Sequence, residues 1–365
     1  MEKEVGSLIK RAKLKRCGSD TYPVLSMTMH EGLVFQNDRF KKQIASIDQS
    51  QYQVVYRHQL VESFPIDEGV LAVQELTEAG IVSPAYKIWD IDMNLVVPKY
   101  LEYALRAPRS IEYYKLKLRG TTARRRSISD FELCSMKIIC PSLDEQQRIV
   151  AIIEKVQKVI IHKQKEVTVL DNLIQARFVE MFGDPVSNSY GLPEATLPEL
   201  GEFGRGVSKH RPRNDPRLLD GEYPLVQTGD VANASLYIMS YNSTYSELGL
   251  KQSKMWSKGT LCITIAANIA KTAILEFDAC FPDSVVGFIA NEKTNNIFIH
   301  YWFSFFQAIL ESQAPESAQK NINLKILSEL KVIVPEKEKQ NEFVDFVHQT
   351  NKYKSASKNY CRLTA

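Results

Sequence analysis

Ser127–Val150 reads SISDFELCSMKIICPSLDEQQRIV, and Asn321–Val344 reads NINLKILSELKVIVPEKEKQNEFV. At an offset of 194 the two stretches pair Ile128 with Ile322, Leu133 with Leu327, Lys137 with Lys331, Ile139 with Ile333, Pro141 with Pro335 and Gln146 with Gln340. Further upstream the offset becomes 200 or 201, as a few inserted residues would produce. There Tyr22-Pro23 meets Tyr223-Pro224, Ala79 meets Ala279, Trp89 meets Ile289 and Tyr100 meets Tyr301. A nearly constant offset held over most of a chain marks internal duplication. The sequence reads as two copies of one module.

Each copy ends alike, with a short β-like run (Met136–Cys140, Leu330–Val334), a proline and a long helical pattern. Ser142 and Glu145 form the N-cap and third position of a capping box. Gly183 and Pro185 stop the first helix after Phe182, so that it spans 41 residues, about 60 Å at the α-helical rise. Ile149, Ile153, Val156, Ile160, Val167, Leu170 and Ile174 step along it by fours and threes, interrupted only at Lys163. That is the period of a coiled-coil seam, although an ordinary amphipathic core helix shares the pattern. The second copy offers Phe343 and then Phe346 or Val347, followed by a polar tail, with at most 30 residues for its helix. The expected partner of the first helix is the second, packed antiparallel and covering part of it. Gly183–Leu200 is rich in Gly, Pro, Ser and Asn and reads as a linker. Between these features, Tyr52–Tyr56, Gly69–Val73, Gly259–Ile265 and Val285–Ala290 read as strands, and Pro98–Arg106 and Ile299–Leu310 as helices. The architecture implied is α+β, with globular parts at Glu4–Pro141 and Pro198–Pro335 separated by helical rods.

The chain has 365 residues, with 46 basic side chains against 43 acidic ones. A net charge of +3 neither announces a nucleic-acid protein nor fits a strongly acidic or disordered one. Six cysteines never form a CxxC pair, which speaks against a zinc knuckle or dithiol redox site and for reduced thiols in a cytosol. The N-terminus lacks a secretory apolar core, and the longest apolar run, near Leu261–Ala270, is too short to span a bilayer. A soluble cytoplasmic protein with no membrane partner is the expectation.

No phosphate-binding glycine loop, GxSxG, HExxH or NPPY-like motif is present. Pro282-Asp283 with Glu329-Leu330-Lys331 weakly resembles a metal-dependent nuclease signature, but the first copy has Ser83 and Ser135 at the aligned places. Basic residues, by contrast, recur before each Tyr-Pro pair. Lys10, Arg11, Lys13, Lys15 and Arg16 precede Tyr22-Pro23, and Lys209, His210, Arg211, Arg213 and Arg217 precede Tyr223-Pro224, with Arg16 and Arg217 at offset 201. A second pair of sites precedes the helices: Arg124, Arg125 and Arg126 in one copy, Gln319, Lys320 and Asn321 in the other. Arginine serves guanine or phosphate, and Gln or Asn can read adenine. Any one of these sites alone reads as solvated loop charge; their repetition points to DNA.

These residues resemble a known family. GTTARRRSISDFELCSMKIICPSLDEQQRIVAIIEKV, with LDNLIQARFVEMFGDP at the helix end, is similar to the first conserved region of the specificity subunit of type I restriction–modification systems. SAQKNINLKILSELKVIVPEKEKQNEFV resembles the second, while GVSKHRPRND, GEYPLVQTGDV and FPDSVVGF resemble a target-recognition domain. The resemblance covers essentially the whole chain. It implies target-recognition domains at 1–141 and 184–335, a central spacer helix at 142–183 and a shortened one at 336–365. Each domain would read one half of a split site in double-stranded DNA, and the antiparallel helices would fix the gap. The chain itself would be non-catalytic and cofactor-free. Partner methyltransferase and restriction subunits would bind S-adenosylmethionine, ATP and Mg. The shorter second helix departs from the family pattern, in which the two are comparable. A coiled-coil scaffold for protein partners is the competing reading, and salt-dependent DNA binding discriminates the two.

Overall fold

Each copy is closed by pairing its first strand antiparallel with its last. Glu2–Glu4 pairs with Lys137–Ile139, and Glu194–Thr196 with Lys331–Ile333. The structure, a computed structural model, describes residues 1–39, 49–118, 126–266, 268–313 and 322–363. It divides into two compact units, Met1–Val159 and Ile160–Ala365, whose boundary falls inside one continuous helix, Leu143–Phe182.

In the first unit the strands Ile9–Arg11, Lys87–Ile91, Leu60–Glu62 and Leu71–Val73 form one sheet in that spatial order. A second layer pairs Gly32–Phe35 with Leu25–Thr28 and Gln53–Tyr56 with Ala79–Val82. A parallel bridge from Val24 to Ile81 joins the two pairs. The second unit repeats this order. Gly201–Arg205, Val285–Ala290, Leu261–Thr264 and Thr272–Leu275 are followed by an added edge strand, Tyr237–Ile238. Its second sheet runs Ser243–Tyr245, Leu219–Leu225, Ala279–Cys280, Met255–Trp256, with Leu225 parallel to Cys280 where the first unit has Val24 and Ile81. These central strands are apolar on both faces because a second sheet or a helix covers each side: every residue of Leu261–Thr264 and Thr272–Leu275 is buried.

Strand register refines the alignment of the copies. Leu60 faces both Trp89 and Val73, and Leu261 faces both Phe288 and Ile274. Phe288 therefore occupies the place of Trp89, one residue before the expected Ile289. The small helices Asp130–Ser135 and Leu324–Glu329 match down to their caps: Ser129 accepts from Glu132 N–H at 3.2 Å, and Asn323 from Ile326 N–H at 2.8 Å. The strongest evidence of duplication is polar. Gln146 and Gln340 are both wholly buried. Their amide nitrogens donate to the Pro141 carbonyl at 2.9 Å and the Pro335 carbonyl at 2.8 Å. Their oxygens accept from Val97 N–H at 2.8 Å and from the Thr294 hydroxyl at 3.0 Å. A buried amide without such partners would cost about 1–3 kcal/mol, so each glutamine fastens the start of a long helix to its own domain.

Pro98–Arg106 is a helix as expected, starting on its proline, and Ile299–Leu310 lies within the helix Asn296–Gln313. The stretch read as a linker is only partly one. Glu194–Thr196 is a strand, and Leu197–Leu200 is a helical turn closed by a Thr196/Glu199 capping box, with Leu197 and Leu200 fully buried. The central helix stops where expected: Gly183 takes φ +74°, and its N–H closes on the Val179 carbonyl at 2.8 Å. Ser142 Oγ accepts from Glu145 N–H at 3.4 Å at the other end.

The helix Lys337–Leu363 packs antiparallel on the second half of the central helix. Arg177 bonds Glu342 at 2.8 Å, while Asp171, earlier on one helix, pairs with Lys354, later on the other. Ile174, Phe343 and Val347 of the expected seam are buried together with Phe178 and Phe182. Phe178 touches Phe182, Phe298, Phe305 and Phe343 with ring centroids 5.0–5.3 Å apart. Of the remaining seam residues, Ile149 packs against the core of the first unit. Ile153, Ile160, Val167 and Leu170 are half-buried, and Val156 is 36% exposed. Among the described residues, no helix is long and apolar enough to cross a membrane.

Candidate nucleic-acid interface

In the first unit, Lys15–Cys17 runs beside the strand Gln53–Tyr56. Val54 N–H donates to the Lys15 carbonyl at 2.8 Å and Cys17 N–H to the Tyr52 carbonyl at 2.8 Å. This lays the basic segment along one wall of a cleft of about 240 Å³, lined by Arg11, Lys13, Arg16, Gln51, Gln53, Pro84 and Tyr86. Gln53 is buried and anchors the opposite wall. Its amide donates to the carbonyls of Ser83 at 3.1 Å, Pro84 at 3.1 Å and Tyr86 at 2.7 Å. Lys10, Lys13 and Arg16 are exposed, and no ion pair engages them among the described residues. Arg11 lies over the Trp89 ring at 5.2 Å and stands 3.6 Å from Asp130. Lys15 donates to the hydroxyls of Tyr56 at 3.1 Å and Tyr22 at 3.4 Å, bonds that hold its ammonium above the ordinary lysine range.

The second unit builds its basic loop differently. Gln252 Oε1 accepts the N–H groups of Lys209 at 2.7 Å and His210 at 3.0 Å, and Ser253 Oγ donates to the Val207 carbonyl at 2.7 Å. Val207-Ser208 thus takes the place that Lys15-Arg16 holds beside the first unit's strand. Lys209 to Gly221 carries the extra residues that raise the offset to 201 at Tyr223-Pro224. Arg217 is consequently not the counterpart of Arg16, despite the matching separation.

Here the arginines are tied to carboxylates. Arg217 pairs with Asp215 at 2.7 Å, Arg213 with Asp283 at 2.6 Å, and Arg211 stands 3.6 Å from Asp283. The Arg217 side chain and N–H, with His210 at 3.0 Å, hold the Asp215 carboxyl well below the usual carboxylate range. The loop borders a cleft of about 250 Å³ lined by Ser208, Arg213, Asn214, Gln227, Thr228 and Ser243, with Pro282 and Ser284 also on its wall. The two clefts are not equivalent in position: the first opens beside the strand Gln53–Tyr56, the second beside Leu219–Leu225 and Ser243–Tyr245. Each lies between the basic segment and the loop that follows the strand Ala79–Val82 or Ala279–Cys280.

Of the second pair of expected sites, Arg124, Arg125, Gln319, Lys320 and Asn321 lie outside the described residues. Arg126 is engaged by Asp67 at 3.0 Å and Glu68 at 2.7 Å. The two acids of the weak nuclease signature are separately occupied: Asp283 by its arginines, Glu329 by Lys325 at 3.7 Å. Among the described residues, no cluster of three potential metal ligands occurs. Reading the sequence alone missed Gln53, Tyr86, Asn214, Gln227, Thr228 and Ser243 as cleft residues. They are single polar side chains scattered along loops, and no spacing rule gathers them.

Two α+β domains of the same strand order, tied to long antiparallel helices and each with a polar cleft flanked by a basic segment, define a protein built by duplication. The comparisons agree. Residues 194–360 match the family described as Type I restriction modification DNA specificity domain. A chain described as the type I restriction enzyme MjaX specificity subunit of Methanocaldococcus jannaschii is 23% identical over 260 residues, 68% of this chain. The match spans 60% of that relative's length. Among solved structures, a chain from work on complex assembly and conformational transition of the type I R-M system has a TM-score of 0.60 at 16% identity, covering 100% of this chain and 94% of its own. A type I restriction–modification S subunit from M. genitalium has a TM-score of 0.57 at 14% identity, covering 100% and 92%. The chain is thus similar to type I specificity subunits, in sequence over residues 194–360 and in fold, as the sequence resemblance implied.

Proposed function

We propose that this chain is the DNA sequence-recognition subunit of a type I restriction–modification complex. Each domain reads one half of a bipartite site in double-stranded DNA. The long helices set the gap between the halves and dock methyltransferase subunits. The chain itself is non-catalytic and works in the cytoplasm. S-adenosylmethionine, ATP and Mg are bound by the methyltransferase and restriction subunits.

The observation that carries this reading is the duplication of the domain. Two domains of one chain share a strand order, and each sets a basic segment beside a polar cleft, with different side chains in each. A covalent pair of similar domains is the one-chain equivalent of a dimeric DNA reader, whose half-site spacing follows from its geometry. Because Gln51, Gln53 and Tyr86 line one cleft and Asn214, Gln227 and Ser243 the other, the two half-sites differ in sequence.

The test is a domain exchange. Residues 198–335 are replaced by the corresponding domain of another specificity subunit, and methylated sites are mapped in a host that expresses the chimera with its methyltransferase. One half of the methylated sequence changes and the other is retained. An unchanged sequence overturns the proposal.

A further inference from the structure

Asp283 stands between two arginines of the second domain's basic loop. One terminal nitrogen of Arg213 donates to its carboxylate oxygens at 2.6 and 2.8 Å, Arg211 lies 3.6 Å away, and Arg205 Nε donates to its backbone carbonyl at 2.9 Å. Arg213 also lines the cleft beside Asn214, Gln227, Thr228 and Ser243. Its Nε and its other terminal nitrogen carry no hydrogen bond among the described residues. Both side chains reach solvent, Arg213 at 46% exposure and Asp283 at 33%. This guanidinium is held from one side and open on the other.

The carboxylate decides which part of DNA such an arginine suits. A phosphate approaching Arg213 meets an anion already in contact with the cation, and the second negative charge repels it. A base edge carries no net charge and pays no such cost. The held side chain has also surrendered part of its rotamer freedom before binding. In the major groove guanine offers two neighbouring acceptors, N7 and O6, to which arginine donates.

The first domain has no such acid. The equivalence of Ile81 with Cys280, set by the parallel bridges, puts Pro84 where the second domain has Asp283. Lys13 and Arg16 line that cleft without an ion pair among the described residues, as suits phosphate contacts.

Resting on the reading that the second domain binds DNA, we infer that Asp283 is a positioning residue for base recognition. It orients Arg213 to read a guanine in the second domain's half-site, while the unpaired cations of the first domain's cleft take phosphates. The test uses the full-length chain co-expressed with a type I methyltransferase subunit, with methylated sites mapped for the wild type and for Asp283→Asn. One G·C position in one half-site loses about 10-fold to 100-fold of its preference, the loss of one good bidentate contact, and the other half-site is unchanged.

The freed Arg213 becomes available to phosphate. Affinity for unrelated duplex therefore does not fall, and its log–log salt slope steepens by about one. A merely structural role would weaken specific and unrelated DNA together and lower the thermal midpoint. Arg213→Lys serves as a second variant, keeping the charge and losing the planar fork; it relaxes the same G·C position. A wild type that methylates no split site removes the DNA-recognition reading and the inference with it. A split site unaltered by both variants overturns the inference alone.

Discussion

In the first domain Lys10, Lys13 and Arg16 stand free of ion pairs among the described residues, whereas in the second Arg211, Arg213 and Arg217 each lean on Asp283 or Asp215. The strand order is shared, so the difference lies in what the loops add. In the second domain the longer loop brings Asp215 and the loop after Ala279–Cys280 brings Asp283, and an acid in contact turns a mobile charge into an oriented one. The helices differ in the same sense. The second half of the central helix buries Ile174, Phe178 and Phe182 among a cluster of phenylalanines and against the helix Lys337–Leu363, while Val169 and Leu173 stay exposed. In the first half no apolar side chain among the described residues is buried, and Ile152 is 64% exposed. Duplication preserved the scaffold and left each copy to settle its own charge and packing.

The largest effect that sharpens this comparison is on packing. Phe178→Ala removes a fully buried ring in contact with four others and should destabilise the second unit by about 3–5 kcal/mol. Ile153→Ala, on the half-buried first half of the helix, should cost about 1 kcal/mol or less. Chemical denaturation followed by hydrogen exchange, resolved by unit, measures both. Equal costs would break the distinction between the two halves.

The next effect is on acid stability. His300 accepts or donates a 2.9 Å bond with Thr272 Oγ1, and burial, aided by the nearby Lys354 ammonium, pushes its pKa down to about 4. The unfolded chain takes up this proton near pH 6.5, the folded second unit only near pH 4. Between those values the unfolded state binds more protons, so stability falls as pH drops through that window, by about 2 kcal/mol in all after allowance for the exposed edge of the ring. In the first unit burial pushes the Glu62 carboxyl up instead, which favours the folded state as pH falls. Acidification should therefore open the second unit first, as hydrogen exchange at pH 7 and pH 4.5 would show. The same acid loss in a His300→Gln variant would remove this explanation.

Much of the fold was legible in the sequence because local rules specified it. Ser142, Gly183 and Pro185 bound the central helix, and Gln146 with Gln340 signalled equivalent helix starts that prove to be equivalent hydrogen-bond knots. What was not legible depends on pairing across long separations. Matching Arg16 with Arg217 by counting residues failed because Arg217 lies within the inserted loop, a fact visible only in which residues flank Gln252 and Ser253. Asp283 could be seen as an acid, but its partner Arg213 lies 70 residues away. Loop-forming residues in Gly183–Leu200 likewise outweighed Leu197 and Leu200, whose burial depends on the core of the second unit.

The smallest effect bears most directly on free against held cations. Lys13 is exposed at the first cleft and has no ion pair among the described residues. Lys13→Ala should leave stability within about 0.5 kcal/mol of the wild type. If Lys13 meets a phosphate, the variant should weaken DNA binding by a similar factor on every sequence and reduce the log–log salt slope by about one. Arg126 is the control from the same domain, because Asp67 and Glu68 already engage it. Arg126→Ala should cost up to about 1 kcal/mol of stability and leave the salt slope unchanged. A slope that responds to Arg126 but not to Lys13 would mean that ion pairing within the protein does not predict which cations DNA recruits, and the contrast between the two clefts would lose its physical basis.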